Sequence, residues 1–156
     1  MSIKFKFTCV LLLGLFFARP LHAQPWSSEQ QEVIDAIEQL SASTAPDGGG
    51  ADAYGQMLTD DFSRWTLGSS LINNKTDWVD GIRKWFDEGW RVTDRKVAFV
   101  ELAINNDLAF TRRNVVETYL RPDGESSRSK AAVAEMWIRI NGKWLLFRAN
   151  VCPITE

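Results

Sequence analysis

Residues Met136 to Asn150, MWIRINGKWLLFRAN, decide the fold of this chain. Asn141-Gly142 sits between two extended runs rich in aromatic and aliphatic residues, the strongest short-range sign of a β-hairpin closed by a type I′ turn. A two-residue turn fixes pairing on both arms. It predicts Ile140 opposite Lys143, Arg139 opposite Trp144, Trp137 opposite Leu146, Glu135 opposite Arg148 and Val133 opposite Asn150. Because strand side chains alternate between faces, Ala132, Ala134, Met136, Ile138, Leu145, Phe147 and Ala149 form one almost wholly apolar face. The other carries Val133, Glu135, Trp137, Arg139, Trp144, Leu146, Arg148 and Asn150. An acid and a guanidinium flanked by tryptophans are costly to bury unless hydrogen-bonded, so this second face is expected to line a cavity, the alternative being an exposed cross-strand pair.

Upstream of the hairpin, Arg91 to Ile104, Leu108 to Leu120 and Ser129 to Ile140 are further strand-like runs. Turns at Asn105-Asn106-Asp107 and Pro122-Asp123-Gly124 separate them. Spacing leaves open whether Arg112 and Asn114, or Arg113, Glu117 and Tyr119, share the face of Glu135. The N-terminal part is helical. Val33, Ile34, Ile37 and Leu40 recur at helical spacing behind a capping box of Ser28 and Gln31. Pro46 to Gly50 breaks that helix, and a short second helix carries Tyr54, Met57 and Leu58, with Asp60 and Asp61 at its end. Phe62 to Leu67 reads as a short strand and Gly68 to Asn74 as a loop. Trp78, Ile82, Trp85 and Phe86 make a third helix, capped by Thr76 and stopped by Gly89. Helices first and a meander afterwards is an α+β arrangement, in which a twisted sheet can curl round the helices and leave a pocket.

Met1 to Ala23 reads as a secretory signal: Lys4 and Lys6, an apolar run from Phe7 to Ala18, then Pro20 and a cleavage site after Ala23. The run is about 12 residues, short of the roughly 20 that span a membrane. The expected product is a single domain, residues 24–156, periplasmic or secreted and without stable membrane insertion. Its 133 residues (156 less 23) are enough for one core. Losing Lys4, Lys6 and Arg19 takes the basic residues from 18 to 15 against 20 acids, a formal charge of about −5, which argues against nucleic-acid binding. The leader also removes Cys9 and the only histidine, His22. Catalytic triads built on histidine and most zinc sites go with it; no metal and no cofactor are expected. Cys152, then the sole thiol, cannot form an internal disulfide and is expected to be a small buried group.

Three stretches, Tyr54 to Trp65 (YGQMLTDDFSRW), Asp77 to Ile82 (DWVDGI) and the closing hairpin, resemble the nuclear transport factor 2-like superfamily in its SnoaL-like and ketosteroid isomerase-like branch. The resemblance spans about residues 28 to 152. It implies N-terminal helices packed on a curved antiparallel sheet, a cone-shaped α+β barrel with a pocket at its wide end, and it implies homodimers, which are common among such proteins. The activities transfer less well. Isomerases of this type resemble one another in an aspartate base on the short strand after the second helix, where Arg64 to Leu67 has no carboxylate. Dehydratase relatives use histidines. Epoxide hydrolase relatives carry Arg-x-Asp followed by an acid on the next strand; Arg112-x-Asn114 followed by Glu135 is similar in outline, but Asn114 cannot act as a base.

The expected function is therefore the binding, without turnover, of a small, partly apolar molecule, an anion among the candidates. Arg148 is expected to supply charge-assisted hydrogen bonds, Glu135 to orient the ligand, Trp137 and Asn150 to shape the wall, Trp65 to touch it and Tyr54 to donate to a carbonyl oxygen. The alternative is an isomerase or hydrolase acting on a hydrophobic substrate with Glu135 as general base. A third is an interaction module whose interior is plugged by Trp137 and Leu146. Arg83-Lys84 and Arg95-Lys96 read as solvated faces.

Overall fold

The computed structural model describes residues 26–155; the leader expected at Met1 to Ala23 lies outside them. Three helices, α1 (Ser28–Ala42), α2 (Gly50–Gln56) and α3 (Lys75–Asp87), pack against six strands: β1 (Leu58–Thr66), β2 (Ile72–Asn74), β3 (Arg91–Asn105), β4 (Leu108–Leu120), β5 (Ser126–Ile140) and β6 (Lys143–Pro153). The strands form one sheet in the order β2-β1-β6-β5-β4-β3. β3 to β6 make the expected antiparallel meander. β1 then joins it parallel to β6, and β2 pairs antiparallel with β1. The sheet is thus mixed rather than wholly antiparallel, and it is open rather than closed into a barrel.

The helix caps lie one or two residues from their expected positions. Ser27 and Gln30 form the capping box of α1, one residue before Ser28 and Gln31. Asn74 caps α3 through its side chain, displacing Thr76, because the short strand β2 runs straight into the helix where a loop was expected. Asp60 and Asp61 lie on β1 rather than at a helix end, since the chain becomes extended at Leu58. Gly89 ends α3 at φ +95°, a conformation glycine adopts without steric cost. Val33, Ile37 and Leu40 of α1 meet Phe62, Trp137 and Leu146 of the sheet in the core. No helix among the described residues is long and apolar enough to cross a membrane.

Asn141 (φ 50°) and Gly142 (φ 77°) both lie in the left-handed region, as a type I′ turn demands. Pairing runs as expected from Ile140 opposite Lys143 to Trp137 opposite Leu146. It then shifts by one residue: Met136 faces Arg148, Glu135 faces Ala149, Ala134 faces Asn150 and Val133 faces Val151. Phe147 is the extra residue of a β-bulge, which reverses the alternation of everything beyond it. The expected pairs Glu135–Arg148 and Val133–Asn150 do not form. Ala149 and Val151 turn inward in place of Arg148 and Asn150.

Candidate functional site

Between the inner sheet face and the helices lies a cavity of about 450 Å³, within the usual range for small-molecule sites. Its apolar wall is contributed by Leu40 of α1, Ile82 of α3, Val92 of β3, Val115 of β4, and Leu146 and Val151 of β6. The inner residues of β4 are the odd-numbered ones, so Arg113, Glu117 and Tyr119 face inward with Glu135, the second of the two arrangements that spacing left open. Trp137 and Leu146 are fully buried, at 0% and 1% exposure. Trp137 fills the interior behind the cavity and Leu146 forms part of its wall, and neither closes it.

Glu135 does sit beside a guanidinium, but that of Arg113. The two are 4% and 7% exposed. Arg113 donates from Nη2 to Oε1 at 2.7 Å and from Nε to Oε2 at 3.3 Å. Oε2 also accepts from Trp137 Nε1–H at 3.1 Å and from Thr111 Oγ1–H at 3.5 Å. This two-pronged fork with additional donors is the arrangement that offsets the desolvation of a buried pair. Burial works against the charge on Arg113, and Glu135 outweighs it, leaving the guanidinium pKa above its ordinary value.

A second pair also lines the cavity. Arg95 donates from Nε to Glu117 Oε1 at 2.6 Å, from Nη1 to Ser41 O at 2.7 Å and from Nη2 to Thr44 Oγ1 at 3.1 Å. The Tyr119 hydroxyl donates to Glu117 and accepts from Ser129. Burial, reinforced by the Glu117 charge, pushes the Tyr119 pKa up to about 12. Arg95 is therefore a cavity residue and not the solvated one expected from its neighbour Lys96.

The third polar group is centred on Arg64 of β1. Its guanidinium lies 3.9 Å from the centroid of the Trp78 ring and donates from Nη1 to Thr66 Oγ1 at 2.8 Å. Burial lowers its pKa. Trp78 and Tyr54 also line the cavity. The buried Trp78 Nε1–H has no acceptor with hydrogen-bond geometry. It lies beside the Tyr54 hydroxyl and partly opposes the rise in phenol pKa that burial imposes.

Of the residues expected at the site, Glu135 and Tyr54 line the cavity. Trp137 stands behind it, holding Glu135 from the core. Arg148, Asn150 and Trp65 are elsewhere, because the bulge at Phe147 turns the first two outward and Trp65 pairs with Asn150. Arg148 instead donates to the carbonyls of Asp61 at 2.6 Å and Phe147 at 2.8 Å, pinning the bulge to β1. Trp65, Asn150 and Cys152 lie around a shallow hollow on the outer sheet face with Val100 and Asn114. Cys152 is a half-exposed thiol there, not a buried one. Sequence reasoning missed Arg64 and Arg95. For Arg64 a sign was available: alternation from the apolar Phe62 places it on the same inward face.

Each of the two cavity carboxylates is committed to an arginine. Glu135 would have to break its fork with Arg113 to act as a base. Among the described residues no group of three His, Cys, Asp or Glu side chains is placed to hold a metal.

No protein-family model matches the chain, and no curated protein matches it. Solved structures do. A conserved protein from Planctomyces limnophilus superposes with a TM-score of 0.67 at 20% identity, over 81% of this chain and 98% of that one. A ketosteroid isomerase-like protein from Erwinia carotovora gives 0.65 at 16% identity, over 84% of this chain and 100% of that one. A nuclear transport factor 2-like protein of unknown function from Prochlorococcus marinus gives 0.65 at 11% identity, over 84% and 96%. The chain has the nuclear transport factor 2-like fold, with its helices packed on an open, curved sheet.

Proposed function

We propose that this protein is an exported container that binds a small, largely apolar molecule in the cavity between its helices and sheet, without turning it over. The observation that carries the proposal is a cavity of about 450 Å³ whose two carboxylates, Glu135 and Glu117, are both already bonded to arginines. Such a wall offers shape, apolar surface and fixed dipoles, but no carboxylate free to take a proton. Export rests on the leader-like segment Met1 to Ala23, with residues 24–156 as the mature domain. The proposal includes a homodimer, with the outer sheet face around Trp65 and Val100 as the surface for a second copy. Cell fractionation and sedimentation of the expressed full-length chain test those two parts: retention of the leader in the cytoplasm removes the first, and a monomer removes the second.

The cavity itself is tested at Gly81. This residue lines the rim on α3, and a Cβ placed there meets nothing within 4 Å. Gly81→Phe therefore brings a bulky ring to the cavity mouth without a backbone clash, at a helix position where leaving glycine is itself favourable. In a thermal-shift screen of small neutral aromatics, compounds that raise the midpoint of wild type should leave Gly81→Phe unmoved. Equal shifts in both proteins would place binding outside the cavity.

A further inference from the structure

The geometry points to a carboxylate subsite at Arg64, Trp78 and Tyr54, so that the ligand of this cavity is an apolar monocarboxylic acid whose anionic head is received there. This rests on the container reading and adds the chemistry of its occupant. Three guanidinium groups and two carboxylates line the cavity: Arg64, Arg95, Arg113, Glu117 and Glu135. Arg113 is matched with Glu135 and Arg95 with Glu117. Arg64 is left over, with no carboxylate within ion-pair distance among the described residues.

A guanidinium has five N–H donors, and for Arg64 a single one, on Nη1, finds a protein acceptor, the Thr66 hydroxyl. Its flat face rests on Trp78, which orients the group while leaving its edge open. The same Trp78 carries a buried N–H that makes no hydrogen bond of normal geometry and lies beside the Tyr54 hydroxyl. The Arg64 edge is thus an unmatched cation on the cavity wall, where an anionic acceptor that the protein does not supply would be received. The Tyr54 hydroxyl, next to both, is a third donor.

The class of anion follows from the count. One unmatched cation balances one charge. A planar carboxylate can take a guanidinium edge with one oxygen and a neutral N–H or O–H with the other. A phosphate dianion would keep a second charge with no cation to meet it. The remaining wall around Ile82, Val92, Val115 and Leu146 calls for an aryl or branched alkyl body.

Isothermal titration of naphthylacetate, naphthylacetamide and acetate separates head from body. Wild type should bind the acid about 10- to 100-fold tighter than the amide, the ratio expected for hydrogen bonds to a charged group, and acetate far more weakly than either. Arg64→Gln should bring the acid down to the amide's affinity and leave the amide unchanged. Trp78→Phe, which keeps an aromatic face for Arg64 and removes the N–H together with part of the ring, should weaken the acid several-fold more than the amide. Equal binding of acid and amide to wild type, or equal losses for both in Arg64→Gln, overturns the subsite and leaves the container reading intact. Failure of both to bind wild type overturns both.

Discussion

Removing the Glu135 carboxylate is the sharpest perturbation this fold offers. Glu135→Ala leaves Arg113 at 7% exposure with no counter-ion, a loss of about 3–5 kcal/mol for breaking a buried pair from one side. It also strips the acceptor from Trp137 Nε1–H, in a residue at 0% exposure, and a buried donor without a partner costs about 1–3 kcal/mol. The two effects share one side chain and do not simply add, so the expected loss is about 4 kcal/mol. That is a large part of the roughly 5–15 kcal/mol that holds a domain together. Glu135→Gln keeps one carbonyl acceptor and the shape, and should lose about half as much. The double variant Arg113→Met with Glu135→Met removes both charges, leaves the Trp137 indole and the Thr111 hydroxyl without their acceptor and should be more stable than Glu135→Ala despite its extra substitution. Urea unfolding with an unchanged slope orders the three. If Glu135→Ala lost less than about 1 kcal/mol, or if the double variant were the least stable, the pair would not be the buried, mutually dependent unit described above.

Two further outcomes follow from groups placed in and out of the cavity. The chain has two tyrosines, both with pKa values raised above the free value of 10.0, Tyr119 to about 12. The native state therefore keeps protons that the unfolded chain releases. The stabilisation is whole below pH 10.0 and is lost as pH rises through the folded values. Tyrosinate absorbance at pH 10.0 should be nearly absent in the native protein and appear on unfolding in urea; half-ionised tyrosine in the native protein would contradict the buried placement. Arg148→Ala should cost about 1 kcal/mol, the worth of hydrogen bonds to carbonyls from a group a third exposed, and leave cavity binding untouched. Loss of binding with stability retained would return Arg148 to the interior.

Much of this fold was legible because it rests on local chemistry. Asn141-Gly142 named its own turn and the first four pairs that follow from it. Gly89, the helical spacing of Ile34, Ile37 and Leu40, and the alternation around Glu135 and Trp137 each specify structure within a few residues. What escaped was non-local. The parallel pairing of β1 with β6 brings together residues some 85 apart in sequence, and nothing in either strand encodes the partner. The inward face of β4 depended on the Pro122-Gly124 loop, too long to transmit register. The buried acid was found, but its partner came from that strand, Arg113, and not from the hairpin.

The bulge at Phe147 explains why the cavity exists. Had the hairpin kept its alternation, Arg148 and Asn150 would point inward, and the Arg148 guanidinium would compete with Arg113 for Glu135 while occupying the space itself. One extra residue exchanges them for Ala149 and Val151, whose small side chains leave room beside Arg64. The displaced guanidinium is not idle: it lies 3.6 Å from the centroid of the Phe147 ring and bonds the Asp61 carbonyl where β1 is itself irregular. The residue expelled from the site thus helps hold open the irregularity that expelled it. Deleting Phe147 to restore regular pairing should refill the hollow, and with it abolish binding of any compound that stabilises the wild type; a deletion variant that folds and still binds such compounds would show that the hollow owes nothing to the bulge.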